Sequence, residues 1–202
     1  ATFTPGRDAA RKEASKLNVP RIGVRFRLPA SMNQVEYFGR GPAENYLDRN
    51  AGSMIGLYKS TAEELYFPYV RPQENGHHTD TRWVSLSTGK KGLLIQADNT
   101  IGFNALRNSI EDFDDEEATG LSRQWSNFTP EQVANHDEAA AKNVLRRQHH
   151  INDITPCDFV EVCVDLKQQG VAGYDSWGSR PEPAYTLPAN REYNWGFTLI
   201  PL

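Results

Sequence analysis

Residues 21–28 set Ile22, Val24, Phe26 and Leu28 against Arg21, Gly23, Arg25 and Arg27. That period of two predicts a half-buried antiparallel strand with its arginines outward. Pro20 and Pro29 bracket it, at positions where a strand tolerates a residue without an N–H. Val35–Phe38, Trp83–Leu86, Leu93–Ala97, Phe159–Leu166 and Tyr193–Ile200 read as further strands. In the fourth of these, Val160, Val162, Val164 and Leu166 share a face opposite Glu161, Cys163 and Asp165. In the last, Trp195, Phe197 and Leu199 share one.

One helical signal interrupts the strands. Thr129 as N-cap, Pro130 at the first helical position and Gln132 closing a capping box precede an alanine-rich run. Together they predict a short surface helix near 130–147. Residues 7–18 are charged and alanine-rich, as in a short helix or an insertion between strands. Strands otherwise dominate, so the expected class is all-β, two packed antiparallel sheets forming one domain over residues 1–202.

Composition narrows the function classes. The 202 residues are 38% hydrophobic and 24% charged, with a formal net charge of -4. No basic block or stripe is present, which argues against nucleic acid as a partner. No apolar run approaches the ~18 residues of a membrane span, and the first residues lack a signal-peptide apolar core. The chain opens without Met inside a strand-like phrase, ATFTP, and is expected to be an excised piece of a longer protein. Its sequence therefore does not fix the compartment of a parent. Cys157 and Cys163 are six residues apart in a strand-like run, roughly 20 Å when extended. A disulfide needs Cα atoms about 6 Å apart, so no bridge between them is expected.

Four phrases concentrate candidate chemistry. FGRGPAENYLDR, residues 38–49, places Glu44, Asn45, Tyr46, Asp48 and Arg49 behind two glycines and Pro42. Such a set either binds a polar ligand or forms a buried network that holds a loop. YFPYVRPQENGHHTDTRW, residues 66–83, gathers Glu74, Asn75, His77, His78, Asp80 and Arg82 about an Asn-Gly turn. Carboxylate, amide and guanidinium groups of this kind pair with vicinal sugar hydroxyls, which makes Glu74, Asn75, His78 and Arg82 candidate sugar ligands. Exposed loop polars give the same pattern, and a metal reading of the two histidines is weak because strand neighbours face opposite ways. GVAGYDSWGSRPEP, residues 170–183, displays Trp177 beside Tyr174, Asp175 and Ser176 among three glycines. Its indole either stacks on the C–H face of a sugar or anchors the core. The acidic run 111–117 has no spacing that fixes a carboxylate pair, and retaining glycosidases need two carboxyls about 5 Å apart. No catalytic residue and no metal site is assigned.

PRIGVRFRLP, YFGRGPAENYLDR, YFPYVRPQENG followed by TRW, and GVAGYDSWG stand in the same order as in the C-terminal domain of glycoside hydrolase family 2 β-galactosidases. The chain resembles this domain, the small-chain region, and the Bacteroidetes-type members above all, from about Pro20 to Pro201. Residues 7–18 and 138–148 depart from the pattern. The resemblance implies an antiparallel β-supersandwich similar to galactose mutarotase. It implies that the catalytic glutamates, and the magnesium and sodium ions of the parent enzyme, belong to a (β/α)₈ barrel outside this chain. It implies that the barrel and the other parent domains are partners, that a β-galactoside is the substrate, and that Trp177 stacks on it, with Asp175 and Ser176 shaping the loop. This chain alone is then expected to be inactive and to hold no cofactor. Two alternatives are a mutarotase-like aldose epimerase using a His acid and a base such as Glu74, with His77, His78, His136, His149 and His150 as candidates, and a purely structural interdomain or oligomer-contact module.

Overall fold

A computed structural model describes residues 2–4, 18–113, 151–175 and 177–202. The predicted helix near 130–147 and most of the 7–18 segment lie outside them. The chain divides into two compact units. The larger comprises Ala1–Phe67, Asn75–Arg107 and Asp158–Leu202; the smaller comprises Pro68–Glu74 and Asn108–Cys157.

In the larger unit the chain runs through β1 (Thr2–Phe3), β2 (Arg21–Pro29), β3 (Gln34–Gly41), β4 (Met54–Thr61), β5 (His78–Ser87), β6 (Gly92–Leu106), β7 (Phe159–Gln168), β8 (Tyr193–Asn194) and β9 (Phe197–Pro201). Seven of these form an antiparallel sheet in the order β2-β7-β6-β5-β3-β4, with β9 also on β6. The remaining two, β1 and β8, form a two-stranded ribbon. The fold is all-β and antiparallel, consistent with a β-sandwich. The long strand β6 changes partner along its length: Leu93–Ala97 pair with β9, and Gly102–Leu106 pair with β7.

One face of the sheet is apolar. Val35, Tyr37, Val84, Leu86, Ile95, Phe103, Ala105, Val160, Val162 and Val164 lie on it and are buried. Burial of each valine, leucine, isoleucine or phenylalanine among them contributes about 1.5–3 kcal/mol. The opposite face is polar where β7 crosses it, yet it too is shielded from water: Glu161 is 3% exposed and Asp165 1%. Carboxylates so placed require cations and donors. Arg25 and Arg27 from β2 reach Glu161 at 3.5 and 3.1 Å, and Arg21 Nε lies 3.0 Å from Asp165.

Arg21 therefore departs from the expected outward alternation. A register shift at Ile22/Gly23 accompanies the turn of its guanidinium inward, where Nη2 donates to Asn104 Oδ1 at 2.5 Å and Gln168 Oε1 at 2.6 Å. The final predicted strand also differs. It is interrupted at Trp195–Gly196, with β8 pairing to β1 and β9 to β6, and Gly196 O accepts the Asp98 N–H at 3.0 Å beside the β9 pairing. Cys157 and Cys163 are not joined to each other: Cys157 Sγ donates to Asp112 Oδ2, and Cys163 Sγ accepts from Arg21 Nη1. In the smaller unit, Asp112 Oδ2 accepts the Ser109 N–H at 2.7 Å at the head of the 110–113 turn, and Asn108 Nδ2 donates to Thr155 O.

Removing one partner of a buried ion pair leaves the other charge dry, which costs about 3–5 kcal/mol. Arg21→Ala is expected to destabilise the fold on that scale. Lys59→Ala, which removes an exposed pair with Glu36, is expected to cost under about 1 kcal/mol. Urea titrations of the two variants check the contrast.

Candidate functional site: the Trp177 loop and its anchor

The loop after β7 leaves the sheet at Gln168 and returns by the 183–185 turn. Its base is closed by Gly170 N–H donating to Tyr185 O at 2.8 Å. Three described residues within it have positive φ: Ala172 at 55°, Gly173 at 85° and Gly178 at 81°. A Cβ added to Gly173 or Gly178 would meet nothing within 4 Å, so the tip stands clear of the sheet. Asp175 folds the tip on itself. Its Oδ1 accepts the Trp177 N–H at 2.8 Å and the Ser179 N–H at 3.3 Å, and Ser179 Oγ accepts the Tyr174 N–H at 3.0 Å. The loop holds Trp177 out at 93% exposure and Tyr174 at 56%. The alternative of an indole anchoring the core does not apply. Asp175 and Trp177 are thus joined in one turn, while Ser176 lies outside the described residues.

The FGRGPAENYLDR phrase forms a buried polar network. Asn45 is 0% exposed. Its Nδ2 donates to Arg40 O and Ala43 O, both at 3.1 Å, and its Oδ1 accepts the N–H and hydroxyl of Thr79 at 2.9 and 2.6 Å. Glu44 accepts the Gly76 N–H at 2.6 Å and pairs with Arg49 at 2.5 Å. Asp48 projects from this anchor to the Trp177 loop. Its Oδ1 accepts the Val171 N–H at 3.1 Å, and its Oδ2 accepts the Ala172 N–H at 2.7 Å and the Tyr174 hydroxyl at 3.4 Å. Gly170 packs so closely on this carboxylate that a Cβ would collide with it.

The candidates around the Asn-Gly turn take other places. Asn75 is 2% exposed, and its Oδ1 accepts the Phe67 N–H at 3.1 Å. His78 is 1% exposed, stacked on Phe103 and edge-on to Tyr37. Its ring nitrogens lie 3.2 and 3.3 Å from the carbonyls of Gly76 and Pro42, and burial holds it below the ordinary imidazole pKa. Arg82 is half-buried, with its guanidinium over the Phe38 ring and Nη1 donating to Asp80 O. Glu74 is half-buried and belongs to the smaller unit.

His77 points the opposite way from His78, into the cluster of Arg21, Asn104 and Asp165. Asn104 Nδ2 donates to Asn75 O at 2.7 Å, which fixes the amide, so Oδ1 faces His77 Nδ1 at 2.8 Å and that nitrogen carries the proton. Burial first, then the Arg21 charge, push the His77 pKa down to about 3. Among the described residues no three of His, Cys, Asp or Glu gather as a metal site. An open groove of about 370 Å³ lies against Glu36, Trp83, Ser85, Leu94, Gln96 and Leu202. Glu36 is the single carboxylate among these lining residues, so the groove offers no acid–nucleophile pair.

A profile of the β-galactosidase small chain matches residues 3–199. The chain belongs to the β-galactosidase small-chain family. It is 35% identical to a β-galactosidase of Priestia megaterium over 185 residues, 91% of this chain but 15% of that protein. It is 40% identical to a β-galactosidase of an Arthrobacter species over 111 residues, 52% of this chain and 11% of that protein. With the β-galactosidase of Vibrio cholerae, identity is 29% over 90% of this chain and 14% of the relative. The chain thus spans about one-seventh of the length of the curated relatives that it matches along most of its own length.

Within the small-chain domain, sequence reasoning placed Asp48 in a polar phrase but did not couple it to the Trp177 loop. The signal available was a carboxylate in one Gly-rich phrase and a run of glycines in another. Only the fold shows that they meet.

With its pKa held down to about 3, His77 is neutral in the folded chain above that pH, whereas unfolded it titrates near 6.5. The unfolded state therefore binds more protons between pH 6.5 and about 3, and this site's contribution to stability falls as pH drops through that window, by up to ~1.4 kcal/mol per pH unit. His77→Gln is expected to flatten the acid limb of a stability-versus-pH curve. The His77 Hε1 NMR resonance in the parent chain is expected not to move between pH 8 and 5.

Proposed function

We propose that this chain completes one wall of a galactoside-binding cleft in a β-galactosidase, where the indole of Trp177 stacks on the sugar while the reacting acids are supplied by other parts of the polypeptide. The observation that carries this reading is the 93% exposure of Trp177 on a self-folded loop. An indole so displayed pays a hydration cost that contact with the C–H face of a sugar relieves. Membership of the small-chain family and the polypeptide lengths of its relatives support placing the chain within a larger glycosidase of glycoside hydrolase family 2. The groups that would do the chemistry, two carboxylates and the magnesium and sodium ions, are assigned to a barrel domain of that enzyme. The supersandwich is read as mutarotase-like in form and not in activity: His77 and His78 are buried, and neither faces an open carboxylate.

The remaining domains of the enzyme are the proposed protein partners. Strand β4, at one end of the described sheet order, carries Met54, Ile55 and Leu57 at 70%, 45% and 58% exposure. An apolar edge strand of this kind is normally covered in a finished protein.

Trp177→Ala in the intact enzyme tests the reading. Loss of about 1 kcal/mol of stacking corresponds to a roughly fivefold rise in KM for lactose, and aryl galactosides report whether the aglycone matters. Unchanged kinetics on both substrates would remove the proposed role. The isolated chain is expected to give no turnover of a chromogenic galactoside; steady hydrolysis that persists through repurification would place catalytic groups within it.

A further inference from the structure

We propose that Asp48 is the positioning residue of the Trp177 loop, a carboxylate clamp that transmits the rigidity of the buried 40–49 network to an otherwise free-standing aromatic; this rests on Trp177 being the sugar contact. Among the described residues, the other contacts of the loop tip are mostly with the loop itself. The space around Gly173 and Gly178 is open, Tyr174 and Trp177 are exposed, and the Asp175 and Ser179 hydrogen bonds are internal to the tip. They shape it without tying it to the sheet.

Asp48 supplies that tie. Two main-chain N–H groups and the Tyr174 hydroxyl converge on its two oxygens, and hydrogen bonds to an ionised acceptor are roughly twice as strong as neutral ones. The Ala172 amide it holds belongs to a non-glycine residue at φ 55°, a strained conformation that persists only where its surroundings enforce it. Asp48 is itself fixed from behind. It sits in the turn closed by Tyr46 and Arg49, whose main-chain groups bond reciprocally at 3.3 and 2.9 Å. Tyr46 is 1% exposed and stacks on His77 with ring centroids 5.5 Å apart. The clamp thus runs from a buried ring through a carboxylate to the base of the loop.

The test uses the intact polypeptide labelled with 5-fluorotryptophan, with Trp177→Phe to assign the Trp177 signal. Asp48→Ala is expected to shift or broaden that signal while leaving those of Trp83 and Trp195 in place. Asp48→Asn keeps the shape but turns an amide N–H toward one of the loop donors, so it is expected to act the same way and carries the test if the alanine variant does not fold. In kinetics, Asp48→Asn is expected to raise KM for lactose by about the factor that Trp177→Ala does, three- to tenfold, with kcat within twofold. The double variant is expected to be no worse than Trp177→Ala alone, since the two changes act on one element. An unmoved fluorine signal, or losses that multiply in the double variant, would overturn the assignment. If Trp177→Ala leaves KM unchanged, the sugar-contact reading fails, and the fluorine comparison still decides whether Asp48 sets the loop.

Discussion

Two carboxylates inside the sheet set the terms for most of what surrounds them. Glu161 and Asp165 lie on the polar face of β7, between β2 and β6, and both are removed from water. Ionised groups in that position are costly unless opposite charge and donors meet them. The three arginines of β2 do so, and Arg21 turns inward to serve Asp165. The same guanidinium engages Asn104 and Gln168, and Asn104 Oδ1 accepts the hydrogen bond of His77 Nδ1. Tyr46 stacks on His77 in turn and carries the turn from which Asp48 projects. Dependence therefore passes from the dry carboxylates outward to a surface loop, each step made by named contacts and not by general compactness.

The strands were legible where period two was clean. Residues 21–28, 35–38, 83–86, 93–97 and 159–166 all fall within observed strands. Strand β4, MIGLYKST, went unread because its apolar residues do not alternate. Ile55 and Leu57 share one face but Met54 lies on the other, and all three are exposed. The extension of β6 beyond Ala97 was hidden by Asp98, Asn99 and Thr100, polar residues that end a hydrophobic run without ending the strand, across which the pairing with β5 shifts register. Arg21 could not be read as inward, since its alternation matched Arg25 and Arg27, and only the register shift beside Gly23 distinguishes it.

Site residues divide in the same way. The sequence left Trp177 open between a displayed ring and a core anchor: Asp175 and Gly178 beside it suit a tight exposed turn, and its 93% exposure in the fold decides for display. His78 shows the opposite case. Beside an Asn-Gly turn and another histidine it reads as loop polarity, yet Phe103 and Tyr37 enclose it. Those rings come from β6 and β3, distant in sequence, and local pattern carries no trace of them.

Because Asp48 takes hold of the amides of residues 171 and 172, most of its grip is on main chain, with the Tyr174 hydroxyl added to it. Any residue but proline offers the N–H at those two positions, whereas at position 170 a Cβ would meet the Asp48 carboxylate and push it from its place. The result is a separation of frame from cargo: the aromatic at the tip can be exchanged for another ring, or for a polar group, while the hinge that aims it is left as it is. On the reading proposed here, preference for the group attached to galactose can drift through residue 177, without disturbing the sheet.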